Sequence, residues 1–338
     1  MVTVTALEVD SESIAAGLGS CGRLELWDRR AAGRLWGVTA HKEGIYCVAL
    51  GRGLVASGGQ DNAVRVWDRD SGAALATLSH HTYIVWAVRL TGTILTSASY
   101  DCSVCWVDLQ PSAEKELEPG GCDVLTGQLV GQVQGPWDWA EALWLAQDGE
   151  LVVVQDEEVF SLTVWAVREC RELSTLSGHT DEVNCVEVRG GLAVSGGSDC
   201  AVRLWDWRAG RCLSVLSGHR GKVWSVALDR WRIASGGRYG EVRVWHLQPR
   251  ERSLVGGQGE EEDEDEEEQK EEDLRDRDGR ALFVHPYSTS VASIHLDRLG
   301  LVSGDGLALL VQWDFWASQQ RACPCTKYTQ TVNDSISK

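Results

Sequence analysis

The chain is 338 residues long, with 50 acidic against 32 basic residues and a formal net charge of −18. That balance would repel a polyanionic backbone rather than release its counterions, which argues against a nucleic-acid binder. No apolar run approaches the ~20 residues of a transmembrane helix, and eleven scattered cysteines make no small-domain disulfide framework. The opening residues show neither a basic stretch nor an apolar one of a signal peptide, so reduced cysteines and a cytoplasmic or nuclear location are expected. Sixteen Trp against three Phe and one Met call for a repeated motif built around tryptophan.

In chain order the repeated segments are IAAGLGSCGRLELWD (14–28), LVASGGQDNAVRVWD (54–68), ILTSASYDCSVCWVD (94–108), VVVQDEEVFSLTVWA (152–166), LAVSGGSDCAVRLWD (192–206), RIASGGRYGEVRVWH (232–246) and LVSGDGLALLVQWD (301–314). The marker position falls at Trp27, Trp67, Val107, Trp165, Trp205, Trp245 and Trp313, at spacings of 40, 40, 58, 40, 40 and 68. Seven units of about 40 residues with two insertions nearly fill the chain. Within a unit, alternation as in EVNCVEV (182–188), the β-rich LAVSGG, the turn and VRLWD, then RCLSVLSGH (211–219) read as four short strands, a to d.

Four-stranded units of this period with Gly-His and Trp-Asp signatures resemble the WD-repeat β-propeller family over about residues 2–327. The resemblance implies an all-β, seven-bladed WD-repeat β-propeller with four antiparallel strands per blade. One domain is expected over 1–327, with an acidic disordered insertion between blades six and seven and a frayed polar tail at 328–338. It also implies a buried relay of His, Ser, Asp and Trp. The second unit carries this as His41, Ser57, Asp61 and Trp67, and the fifth as His179, Ser195, Asp199 and Trp205. The sixth keeps His219, Ser235 and Trp245 but has Tyr239 in place of Asp. The third has His81, Ser97 and Asp101, with Trp106 displaced by one residue and so expected on the other face of strand c. A Ser-His-Asp trio suggests hydrolysis. Its recurrence beside a buried Trp assigns it to the scaffold instead, and no catalytic residue is expected.

Strand a of the first unit begins almost at Met1, so no outer strand precedes it to close the ring. Closure is expected either from 319–327, where Pro324 is tolerable on an edge strand, or from an upstream segment absent from this chain. Both insertions follow strand c, on the family's bottom face. The first, 110–126, reads as an ordinary loop. The second, 249–279, holds twelve carboxylates against Lys270 between Glu260 and Asp273; it is expected to be disordered, and either attracts a basic protein such as a histone or merely solvates the chain.

Propellers commonly bind partners on the top face, at the second residue of strand a and the residue before the b–c Asp. Those positions are Tyr46 and Gln60, Trp86 and Tyr100, Glu141 and Glu158, Asn184 and Ser198, and Trp224 and Arg238. Thr5, Ser20, Ala292 and Gly306 complete the ring. Tyr, Trp and Arg are the residue types enriched in binding hot spots. With Arg238 flanked by Glu141 and Glu158, the expected ligand is a neutral or basic, partly apolar peptide rather than a phosphopeptide. Cys102-x-x-Cys105 lacks a second ligand pair and Cys323 and Cys325 stand alone, so neither metal nor cofactor is expected.

Short a–b turns together with VRVWD and SGG-x-D units resemble the F-box/WD-repeat substrate receptors, which implies a role in a cullin-RING ubiquitin ligase, with its adaptor as partner if an upstream F-box exists. The alternatives are a scaffold subunit of a multiprotein complex without a ubiquitin link, or a binder of basic proteins through the acidic run. All are non-catalytic, with protein partners and no membrane.

Overall fold

A computed structural model describes residues 4–19, 21–31, 33–111, 125–134, 143–146, 151–155, 159–166, 169, 171–255, 281–284, 290–297, 300–305, 309–313 and 326–331. Apolar residues alternating with Ser, Thr and Arg, cut short by Gly- and Asp-containing turns, favour brief antiparallel strands. In chain order these form four-stranded meanders. The first is Val4–Val9, Ser13–Leu18, Arg23–Asp28 and Arg34–Thr39; the second Ile45–Leu50, Leu54–Gly59, Val64–Asp68 and Ala74–Leu78; the third Val85–Thr91, Ile94–Ser99, Ser103–Pro111 and Leu125–Gln134. The fourth is Leu143–Leu145, Leu151–Gln155, Leu162–Ala166 and Arg171–Leu176; the fifth Val183–Arg189, Leu192–Gly197, Ala201–Asp206 and Arg211–Ser217. The sixth is Val223–Leu228, Arg232–Gly237, Glu241–His246 and Ala281–Val284; the last Val291–Asp297, Gly300–Asp305, Leu309–Trp313 and Thr326–Thr331.

The sheets pack face to face around an axis lined by their first strands. Ala6, Ala15, Leu24 and Leu26 of the first sheet share one buried cluster with Ile45, Val48, Val55 and Trp67 of the second. Val302 of the last sheet joins Val4, Leu7, Val9 and Ile14 of the first, which closes the ring. The SGG segments permit this closeness. A Cβ at Gly58 would come within 2.7 Å of Val85 Cγ1 in the next sheet, so only glycine lets the sheets meet there.

The expectation of a ring of seven four-stranded blades needs correction. Six sheets have inner strands of six or seven residues, but that of the fourth, Leu143–Leu145, has three. Among the described residues the ring therefore consists of six full blades and one reduced sheet. In the full second, third, fifth and sixth blades a buried His holds the loop before the inner strand; the stretch before Leu143 contains no His.

The insertions also differ from expectation. Ala281–Val284 pairs with Glu241–His246, so the second insertion falls between the third and fourth strands of the sixth blade, as expected from its place after strand c, rather than between blades six and seven. Its first residues are a helix, Pro249–Val255, so the chain is not purely β. Pro249 occupies the first helical position, where its missing N–H costs nothing. Glu251 accepts the Gln248 backbone N–H at 2.7 Å, half of a capping box. Val255 is buried with Leu192, Leu228 and Leu247, and Gly191 N–H donates to Leu254 O at 2.6 Å.

In the third blade Gln110 pairs with Thr126 and Pro111 with Leu125, so the ends of the expected 110–126 loop extend a hairpin. The fourth strand of the last sheet is Thr326–Thr331, paired with Leu309–Trp313. It starts later than the 319–327 segment and takes in residues expected in the tail.

Candidate functional site

Each full inner strand carries a register irregularity at its second residue. Pairing shifts between Val4 and Ala6, Ile45 and Cys47, Val183 and Cys185, Val223 and Ser225, and Val291 and Ser293. In the third blade Ala87 pairs with Ala98 and Val85 with Ser99, which leaves Trp86 opposite no residue. A bulge re-aims the extra side chain. Thr5, Tyr46, Trp86, Asn184, Trp224 and Ala292 all occupy this position. The residue of the adjoining turn is brought beside it by a repeated backbone bond to the loop before the inner strand. Gln60 N donates to Gly44 O at 2.9 Å, Tyr100 N to Ile84 O at 3.0 Å, Ser198 N to Glu182 O at 2.7 Å, and Arg238 N to Lys222 O at 2.9 Å.

On blades two and three the result is a row of rings. Tyr46 and Trp86 have centroids 5.0 Å apart, and Trp86 and Tyr100 stack at 5.2 Å with 23° between planes. Tyr83 extends the row at 6.4 Å from Tyr100 and is 49% exposed. The repeat alignment did not single out Tyr83, because it lies in the loop before the strand. The three inner rings are half-buried against one another. Gln60 and Arg238 are exposed, and Trp224 is 39% exposed. Asn184 differs: its amide donates to Ser198 Oγ at 3.2 Å and to Val223 O of the next blade at 3.0 Å, so it ties two blades together. Thr5 Oγ1 does likewise to Ile45 O at 2.5 Å. Ser20, Glu141, Glu158 and Gly306 lie outside the described residues, as do Cys323, Cys325 and the run from Glu260 to Asp273.

The relay residues meet beneath this surface. Trp67 Nε1 donates to Ser57 Oγ at 3.1 Å, Ser57 Oγ lies 2.8 Å from His41 Nε2, and His41 Nδ1 lies 2.7 Å from Asp61. With Nδ1 protonated, each group donates to the next. In the fifth blade the same steps measure 2.8, 2.7 and 2.8 Å through Trp205, Ser195, His179 and Asp199. Burial pushes the Asp61 carboxyl up, but His41 and Arg65 outweigh it and hold the group down to about 2. Burial keeps His41 and His179 below the ordinary imidazole range against the pull of Asp61 and Asp199. Ser57 and Ser195 are fully buried and already engaged, so neither hydroxyl can meet a substrate.

In the third blade Ser103 Oγ and Asp101 lie 3.0 and 3.2 Å from His81 Nδ1, with Ser97 Oγ 2.8 Å from Nε2. Trp106 packs with Leu145 and Val154 of the fourth sheet, while Val107 packs with the second blade's Val66 and Leu78, so the two occupy opposite faces. In the sixth blade His219 Nε2 reaches Ser235 Oγ at 2.6 Å. Its Nδ1 and Trp245 Nε1 are buried without hydrogen-bond partners, and burial lowers His219 to about 4. Cys105 is buried, with its thiol pushed up to about 11 by desolvation, whereas Cys102 sits in the turn at φ 64°. Among the described residues no group of His, Cys, Asp and Glu could hold a metal ion.

A second cluster spans the axis. Arg89 of the third blade lies 3.8 Å from Glu8 of the first, which is not its neighbour in the ring, so the two side chains meet across the channel. Glu187 of the fifth blade shares this field. Burial raises its carboxyl to about 7, with Glu8 adding to the rise and Arg89 opposing it.

A family model described as "WD domain, G-beta repeat" matches residues 34–68, 72–108, 170–206 and 210–246. Among curated proteins, the chain is 27% identical over 196 residues to the Periodic tryptophan protein 2 homolog of Caenorhabditis elegans, covering 57% of this chain and 20% of that protein. It is 26% identical over 167 residues to Mitochondrial division protein 1 of Neurospora crassa, covering 48% and 22% respectively. It is 25% identical over 193 residues to the Nuclear distribution protein nudF of Aspergillus niger, covering 54% and 40%. The matches thus span 20% to 40% of these relatives' own length. Among solved structures, the computationally designed Ika8 protein matches with a TM-score of 0.62 over 98% of this chain and 87% of that one, at 20% identity, a likeness of fold alone.

Proposed function

We propose, from the premise that this chain belongs to the WD-repeat family, that its top face is a docking surface for a partner protein, with Tyr46, Trp86 and Tyr100 as the apolar anchor. The observation that carries this reading is the ring row itself. Three half-buried aromatic side chains stand at bulge and turn positions of two adjacent blades, Tyr46 tilted against Trp86 at 5.0 Å and Trp86 stacked on Tyr100 at 5.2 Å. Rings held against one another lose little further freedom when a partner covers them, and such anchors contribute ~2 kcal/mol or more each when desolvated. Gln60, Trp224 and Arg238 extend the surface, while Asn184 supports it from below.

Affinity purification with the full chain tests this. Trp86→Ala is expected to lower recovery of specific partners about tenfold or more, and Arg208→Ala, exposed in the turn between the third and fourth strands of the fifth blade at the opposite end of the sheet, to leave it unchanged; equal recovery from all three proteins would overturn the reading. The finer role, as substrate receptor of a cullin-RING ligase, rests on the sequence resemblance. The same purification decides it, because an adaptor and a cullin among the recovered proteins support a receptor, whereas a stoichiometric set without them supports a scaffold subunit.

A further inference from the structure

We infer that the top of the sixth blade takes an acidic segment of the partner, with Asp or Glu flanking an aromatic or aliphatic residue; this rests on the docking reading above. By alignment alone Arg238 is the one cation among the top-face positions, and a neutral or basic ligand follows. The folded chain changes that balance. The loop before the inner strand brings Arg220 and Lys222 beside Arg238, whose backbone N–H is bonded to Lys222 O at 2.9 Å. Arg243 lies on the same blade, 3.8 Å from Glu241. On the exposed surface Arg220, Lys222 and Arg238 thus face two carboxylates, Glu241, 3.6 Å from Arg220, and Glu182, 3.9 Å from Lys222, while Arg243 is largely buried beside Glu241. Among the described residues the Arg238 guanidinium makes no hydrogen bond or ion pair, although it is exposed.

Two rings supply the apolar part. Trp224 is 39% exposed and Tyr239 is 51% exposed. Tyr239 stands where the second and fifth blades have Asp, and its ring lies along the backbone of Gly221, where a Cβ would come within 2.7 Å of its Cε2. That contact sets the ring against the loop that carries Arg220 and Lys222. On a chain of net charge −18, a local excess of positive charge selects its ligand at short range only, since Debye screening is ~8 Å at physiological salt. A carboxylate suits it better than a phosphate. Arg220 and Arg243 already face Glu241 and Lys222 faces Glu182, so one unengaged guanidinium is left; its single charge matches a carboxylate, held by two parallel bonds, more closely than the roughly −1.5 to −2 of a phosphate.

Selection of a displayed random 12-residue peptide library on the full chain tests the inference. Enrichment of Asp and Glu around an aromatic or aliphatic residue is expected. For a selected, labelled peptide, Arg238→Glu and Trp224→Ala should each weaken binding at least tenfold, with the melting temperature of both variants unchanged. Enrichment of Lys and Arg, no acidic enrichment, or acidic peptides that bind Arg238→Glu as well as the wild type would overturn it. So would tighter binding of the same peptide with phosphoserine in place of its acidic residues. Loss of partners from Trp86→Ala without acidic enrichment would leave the docking face standing and refute this inference alone.

Discussion

At the scale of single residues, the relay shows how one side chain decides whether a buried network closes. His41 and His179 have hydrogen-bond partners on both ring nitrogens, while His219, with Tyr239 in the Asp position, has Nδ1 buried without a hydrogen bond, 3.6 Å from Glu241. A buried unpaired polar group costs about 1–3 kcal/mol. Tyr239→Asp should therefore stabilise the chain by about 1 kcal/mol in urea unfolding and raise the His219 pKa from about 4, as followed by NMR titration. The sign follows from linkage. A His lowered in the folded state binds fewer protons than in the unfolded one, so its stability deficit grows as pH falls from 6.5 towards 4, and the variant should lessen that fall. An unchanged His219 titration would contradict the relay account. These residues were legible in the sequence because the resemblance to the WD-repeat family implies the relay and the repeat assigns its members. The role of Asn184 was not, since its acceptor Val223 O sits 39 residues away on another blade.

At the scale of elements, strand periodicity located most strands, and the Trp displacement correctly placed Trp106 and Val107 on opposite faces of strand c. Bulges, the helix and the last strand were less legible. A bulge changes pairing without changing composition. The helix Pro249–Val255 is too short for a periodic signal and is held by contacts rather than propensity. Thr326–Thr331 is polar, and backbone pairing at an edge needs no apolar pattern. The helix docks closely on the a–b turn of the fifth blade, where Gly190 has φ 58° and a Cβ would collide with the Val255 and Leu254 carbonyls. Gly190→Ala should accordingly displace the helix and lower stability by about 1–3 kcal/mol. The probe is Trp231, which Arg252 of the helix covers at 4.8 Å from its ring centroid. A red-shifted, more quenchable Trp emission is expected, and wild-type emission and stability together would show that the contact does not hold the helix.

At the scale of the whole molecule, repetition made the ring readable and hid its irregularity. A period of 40 counts units, but it does not say whether each has enough inner strand to be a full blade, and the fourth does not. Closure through Val302 against Val4 gathers the inner strands so that bulge residues from separate blades share one surface. Summed charge was a poor guide to that surface: the chain is acidic, with about −11 in the fourteen residues from Glu260 to Asp273, yet the top of the sixth blade is locally basic. The partner-docking reading is tested most directly by hydrogen–deuterium exchange of the full chain with and without its purified partner. Protection is expected over 44–46, 83–86 and 220–224 and at the turns holding Tyr100 and Arg238. Protection confined instead to the opposite face, at 190–191, 207–208 and 250–254, with the top-face segments exchanging as in the free chain, would contradict it.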